Sequence, residues 1–256
     1  MALMERERRR IERFGADVVR LCDSFSDGLE TILGDALVSL ALYGAIVFDE
    51  TRVLTDLDFV AVLGRPLRDV ERDSVLRHQR AIAEEFHPLG GELDGYYISI
   101  DDARRVAMPS DRLRPDLVDD SWPLHCAHLR AGKRIVLIGA DPADFVPQPT
   151  WAQLEAALDG ELDYVVAHLE KYPAYGILNL CRLVASHETH DVVRSKADSA
   201  LWMKERTSEW SDLIDRALRD HAGYEILRDD PILPSEAQAF LSYVIGRIDR
   251  ARSAML

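Results

Sequence analysis

The chain has 256 residues and carries 31 lysines and arginines against 45 aspartates and glutamates, for a formal net charge of −14. That balance argues against a general nucleic-acid binder, which needs a basic face to displace counterions from phosphates, and suits a small cationic ligand. The length allows a substantial core or two modest domains.

The elements follow in chain order. From Glu5 to Leu33 the apolar residues Ile11, Phe14, Val18, Val19, Cys22, Phe25, Leu29 and Ile32 recur on a charged background, which predicts a helical stripe. Within it Arg8, Arg9 and Arg10 alternate with Glu5, Glu7 and Glu12, so they are expected to be a solvated helix end rather than an anion patch. Ala36 to Tyr43 is an apolar run with the character of a buried strand, and it stops at Gly44. A second strand is expected over Thr55–Leu63. Residues 68–87 should form a helix facing the sheet through Val70, Val75, Leu76, Ile82, Ala83 and Phe86, ended by Pro88, Gly90 and Gly91. A third strand over Glu92–Ile100 follows, then a polar loop over 103–120, a helix near Trp122–Gly132 and a short strand at Ile135–Ile138.

The prolines between Gly139 and Pro149 mark a linker, and beyond it helical patterns take over. Thr150 with Gln153 and Ser235 with Gln238 have the form of capping boxes. They are expected to open helices at 151–171 and 235–253, with three more at 175–188, 195–207 and 209–221. Cys22, Cys126 and Cys181 are isolated, without the spacing of a zinc or redox motif, and Met1–Arg10 is charged rather than apolar. No run approaches the ~18 apolar residues of a membrane helix, so a cytoplasmic protein with neither membrane nor nucleic-acid partner is expected.

The chemistry concentrates at residues 43–59. Side chains alternate along a strand, so Asp56 and Asp58 are expected on one face of the second strand, roughly 7 Å apart at the backbone. A half-exposed strand would account for the alternation. It would not account for two like charges beside an apolar run, since neighbouring carboxylates repel unless a cation or a proton is shared. The spacing suits one divalent ion, or two about 3.5–4 Å apart. His125 and His128, one helical turn apart, lack a third ligand at a sensible spacing and are expected at a core edge or a substrate cleft.

Gly44-Ala45, nine residues, then Thr55-Asp56-Leu57-Asp58 resembles the nucleotidyltransferase signature. Together with Leu42-Tyr43-Gly44, Arg134-Ile-Val-Leu-Ile-Gly139, Leu180-Cys-Arg-Leu183 and the surroundings of Lys196 and Trp202, the chain resembles the aminoglycoside adenylyltransferases of the streptomycin/spectinomycin type over most of residues 35–250. The resemblance implies an α+β protein, with a nucleotidyltransferase-fold mixed sheet and flanking helices at 1–140 and an all-helical bundle at 150–256. It implies transfer of AMP from Mg-ATP to a hydroxyl of an aminoglycoside-type small molecule with release of pyrophosphate, by a monomer, in the setting of antibiotic resistance. Asp56 and Asp58 would hold Mg2+. Asp94, where the family carries glutamate, would be the third carboxylate, binding metal or accepting the acceptor's proton, with Glu92 in reserve. Gly44, Ala45, Thr55 and Lys196 would contact the nucleotide, with His221 a further candidate.

Two positions depart from the family. The residue after the motif glycine is Ala45 where serine is usual, a lost hydrogen bond to a charged oxygen worth roughly 1.5–3 kcal/mol. Tyr172-Pro173-Ala174-Tyr175 stands where the streptomycin-modifying members place acidic and tryptophan residues. The same chemistry on another hydroxyl acceptor, a protein side chain included, therefore stays open. So does a binding or regulatory protein of toxin–antitoxin kind on the same scaffold.

Overall fold

The structure is a computed structural model. It describes residues 2–105, 113, 120–221 and 232–254, with side chains from Glu7 onward. Contacts divide the chain into two units, Met1–Pro149 and Thr150–Leu256.

The first unit begins with helices α1 (Ala2–Glu12) and α2 (Ala16–Leu33). The expected single stripe is broken at Gly15, whose φ of 103° is open to glycine and costly for other residues. The break matters, because Arg13 then reaches sideways and donates to the carbonyls of Ile46 and Phe48 at 2.8 and 2.7 Å. Arg10 is likewise more than a solvated end. It pairs with Glu7 at 2.9 Å and donates to the Arg134 carbonyl at 2.8 Å.

Strands β1 (Leu37–Tyr43) and β2 (Leu57–Leu63) follow, then helix α3 (Asp69–Glu85), strand β3 (Leu93–Ser99) and the single turn α4 (Ile100–Ala103). Helix α5 (Trp122–Arg130) and strand β4 (Ile135–Gly139) complete the unit. The expected 103–120 loop falls largely outside the described residues. The sheet order is β3-β2-β1-β4, with β1 antiparallel to β2 and β4 and with β2 parallel to β3, a mixed sheet as expected.

Both sheet faces are covered, which is why β1 and β2 are apolar almost throughout instead of alternating. Leu40, Leu42, Phe59, Ala61, Leu63 and Tyr97 share one core with Phe25 and Leu29 of α2 and with Val75 and Ile82 of α3. Ala41, Tyr43, Val60, Val62, Tyr96 and Ile98 share a second core with Trp122, Cys126 and Leu129 of α5. Val70, expected to face the sheet, is 75% exposed, because α3 starts only at Asp69 and its first turn lies beyond the packed face. Glu71 is buried instead. It takes Arg65 through two hydrogen bonds of 2.7 and 2.8 Å, pairs with the Arg68 guanidinium, and accepts from the Arg68 N–H at 3.0 Å. Those partners hold its carboxyl far below the usual range, the Arg65 hydrogen bonds first among them.

The second unit contains five helices among the described residues: α6 (Trp151–His168), α7 (Pro173–Thr189), α8 (Lys196–Lys204), α9 (Ser211–His221) and α10 (Pro234–Ser253). Helix α7 is the axis of the bundle, with Ile177, Leu178, Leu180, Cys181, Val184 and Ala185 all wholly inaccessible. The Thr150 cap forms as read, its N–H donating to Gln153 Oε1 at 2.8 Å and its Oγ1 accepting from the Gln153 N–H at 3.4 Å. Ser235 is not the cap of α10. The helix starts one residue earlier at Pro234, whose ring presets the first helical φ, and Glu236 accepts from the Leu233 N–H at 2.9 Å. No described helix is long and apolar enough to cross a membrane.

Candidate active site

At the end of β1 the chain must turn sharply, and Gly44 does this at φ +70°, opening a one-turn helix over Gly44–Val47. The glycine is required twice over. A Cβ placed there would meet Asp58 Oδ2 at 1.6 Å, so the carboxylate of β2 lies against the bare backbone of the turn. Gly44 and Ala45 are half-exposed at the head of this turn, where the first N–H groups have no carbonyl of the turn itself to meet, whereas Ile46, Val47 and Phe48 are buried below it. Arg13 clamps the buried side, and burial pulls its pKa down while Asp49 at 3.5 Å pulls it up. Nothing in the local sequence marks Arg13 for this task; its role depends on the break at Gly15.

Strand register sets the carboxylates side by side. Tyr43 is opposite Asp58 across β1–β2, and Asp58 is opposite Asp94 across β2–β3. With period-two alternation, Asp58 and Asp94 share the face of Val60, Val62, Tyr96 and Ile98, the face that α5 covers. Both lie at the uncovered end, Asp58 half-buried and Asp94 exposed. Asp56 is corrected in one respect. It and Thr55 precede β2, which starts at Leu57, so strand alternation does not place Asp56 on the face of Asp58. Glu92 ends a one-turn helix over Leu89–Glu92 and is outside β3, so the argument that made it a same-face alternative to Asp94 does not apply.

The wall beside the carboxylates is aromatic. His125 of α5 packs edge-on against Tyr43 and Tyr96, with centroids 5.0 and 5.4 Å apart, and its Nε2 shares a hydrogen bond of 2.8 Å with Ser121 Oγ. His128 packs edge-on against Phe48. The two histidines are thus placed at the edge of the core, against aromatic rings. Among the described residues, no three His, Cys, Asp or Glu side chains are gathered tightly enough to hold a metal ion. Asp56, Asp58 and Asp94, the carboxylates expected from the sequence, nonetheless offer only oxygen, the chemistry that suits magnesium, and the register makes two of the three immediate neighbours.

In the helical unit Lys196 is the first residue of α8. Ser195 caps that helix, its Oγ accepting from the Asp198 N–H at 3.0 Å. The Lys196 ammonium lies 4.2 Å from the centre of the Tyr175 ring. His221 is the last residue of α9, where the described segment stops.

This architecture matches known proteins. Residues 146–247 match the family model of the aminoglycoside adenylyltransferase C-terminal domain. That match lies in the helical half of the chain. The fold of the chain is similar to that of spectinomycin adenyltransferase AAD(9) from Enterococcus faecialis, a crystal structure with ATP and spectinomycin. The TM-score is 0.71 at 14% sequence identity, and the match covers 90% of this chain and 98% of the other. No curated protein matches it in sequence.

Proposed function

We propose that this nucleotidyltransferase moves AMP from ATP to a hydroxyl of an aminoglycoside-type small molecule and releases pyrophosphate. The observation that carries the reading is the row Tyr43, Asp58, Asp94, which places two carboxylates on neighbouring strands beside the Gly44 turn. A scaffold that only binds partners gains nothing from adjacent like charges. The neighbour's ATP and spectinomycin complex is consistent with it.

Each residue has a task in the proposal. Asp56 and Asp58, with Asp94, would hold magnesium, whose charge would neutralise the phosphates and ease the departure of pyrophosphate. Asp94 accepts the proton of the attacking hydroxyl as its oxygen bonds to the α-phosphorus and the bond to the β-phosphate breaks. The N–H groups of Gly44 and Ala45 address the terminal phosphates, with Thr55 beside them. Lys196 supplies an ammonium to the phosphates, and His221 remains a further nucleotide contact.

The test is incubation with α-labelled ATP, magnesium and a panel of hydroxyl acceptors. The panel includes spectinomycin, streptomycin, non-cationic sugars and whole-cell protein. Label on an aminoglycoside supports the proposal; label on protein alone moves the acceptor to a side-chain hydroxyl. Pyrophosphate release with none of these would overturn the acceptor class, and the absence of ATP binding would overturn the enzyme reading for this chain.

A further inference from the structure

Resting on the reading of Asp58 as a metal-holding carboxylate, we infer that Arg13 is a positioning residue for it. From the elbow between α1 and α2 the Arg13 guanidinium holds the Gly44–Phe48 turn, and the bare glycine backbone of that turn sets the place of the Asp58 carboxylate.

Strand register fixes only the backbone of Asp58, opposite Tyr43 at the last pair of β1 and β2. Its carboxylate occupies the space that a Cβ on Gly44 would fill, so it keeps that place only while the Gly44 backbone stays beneath it. A single helical turn does little to hold that backbone. The Phe48 N–H closes it on the Ala45 carbonyl at 3.2 Å, and the Thr51 N–H meets the Phe48 carbonyl at 3.1 Å. The last carbonyls of so short a helix find few donors within it.

The further donors come from the elbow. Arg13 Nη2 donates to the Ile46 and Phe48 carbonyls at 2.8 and 2.7 Å, and Arg10 Nη2 donates to the Val47 carbonyl between them at 3.3 Å. Arg10 Nη1 also donates to the Arg134 carbonyl at 2.8 Å, just ahead of β4, which ties the elbow to the sheet. Three successive carbonyls of buried residues are thus met by two guanidiniums. The two N–H bonds of one planar guanidinium nitrogen keep a fixed angle, so together they fix the spacing of the Ile46 and Phe48 carbonyls. The fully exposed Asp49 at 3.5 Å contributes little to holding Arg13, because a solvated ion pair is weak. Arg13 enters neither core of the sheet. Its removal should therefore leave the strands packed while the turn, and Asp58 with it, loses its fixed place.

The experiment compares Arg13→Ala with Glu71→Gln, a change in the same unit but away from the turn, in the full-length protein. It is read by ATP titrations at a series of magnesium concentrations. Arg13→Ala should raise the magnesium concentration at half-maximal ATP binding about ten-fold, as removal of a residue that orients a metal ligand does, and Arg13→Lys should fall between it and the parent. Hydrogen exchange without metal or nucleotide is the second readout. The Phe48 and Thr51 amides should exchange about ten-fold faster in Arg13→Ala, while the β1 and β2 amides keep parental protection. Glu71→Gln should change neither quantity. A parental magnesium requirement in either folded Arg13 variant, or parental exchange of the turn amides, would overturn the inference. An equal magnesium shift in Glu71→Gln would assign the effect to general stability and overturn it as well. If Asp58→Asn itself keeps the parental magnesium requirement, the metal role of Asp58 fails, and the inference falls with that reading rather than on its own account.

Discussion

Two corners of this protein place polar side chains by opposite means. At the β1–β2 corner, Asp58 is fixed by strand register on one side and by bare Gly44 backbone on the other, with the Cβ position of Gly44 already occupied by the carboxylate. At the start of α8, Lys196 is placed by a side-chain contact, an ammonium over a ring, at the end of a long flexible stem. The first arrangement tolerates almost no change, because hydrogen-bonded strands cannot shift by half a residue. The second is graded, because each contact contributes modestly and the neighbours can adjust.

The largest effect tests the first corner directly. Asp58→Asn, nearly the same size and shape, should abolish labelled AMP transfer while the protein stays folded. Undiminished turnover in magnesium would sink the carboxylate mechanism and, with it, the contrast. Gly44→Ala should lower transfer on the order of 10²-fold by displacing Asp58 and should cost about 1–2 kcal/mol of stability from the left-handed backbone alone. A melt and a rate indistinguishable from the parent would mean that the turn can be rebuilt and the corner is not rigid. At the neighbouring position Ala45→Ser should tighten ATP by up to roughly 1.5–3 kcal/mol if the turn addresses phosphate. Looser binding measured by calorimetry would place the phosphates elsewhere.

The network around Glu71 separates stability from activity in the same unit. Its folded pKa is depressed, so it contributes stability above the ordinary value of 4.5 and that contribution drains away as pH falls from there through the folded pKa. Glu71→Gln should lose about 1–2 kcal/mol at neutral pH, little at strongly acid pH, and leave ATP affinity alone. Denaturant titrations at several pH values check this, and a constant difference across them would assign the loss to packing. The smallest effect belongs to the second corner. Lys196→Arg keeps a cation able to lie on an aromatic ring and should bind ATP within about three-fold of the parent. A collapse of binding there would show that the helical unit is as exacting as the sheet and would remove the distinction.

Much of this was legible in the sequence, for local reasons. Long apolar runs interrupted by Gly44 and Gly64 could only be buried strands, and β1 and β2 lie where those runs do. The periodic apolar positions and the Thr150 capping box set the helices of the second half within a few residues, because caps and stripes are properties of neighbours in the chain. The Asp-x-Asp pattern singled out the corner because like charges beside an apolar strand demand a reason. The rest depends on residues far apart in the chain. The side-by-side register of Asp58 and Asp94 joins two strands thirty-odd residues apart, and no spacing rule expresses it. The clamp of Arg13 on the Gly44–Phe48 turn exists only because α1 and α2 separate at Gly15. Burial of Glu71 with exposure of Val70 reverses what their side chains prefer, since the two arginines that satisfy Glu71 arrive from the loop ahead of the helix. The chain by itself determined most of the strand and helix segments and which residue types to expect at the site. Tertiary structure decided which of those residues stand next to one another, because hydrogen-bonded register and close packing act between segments that have no fixed separation in sequence.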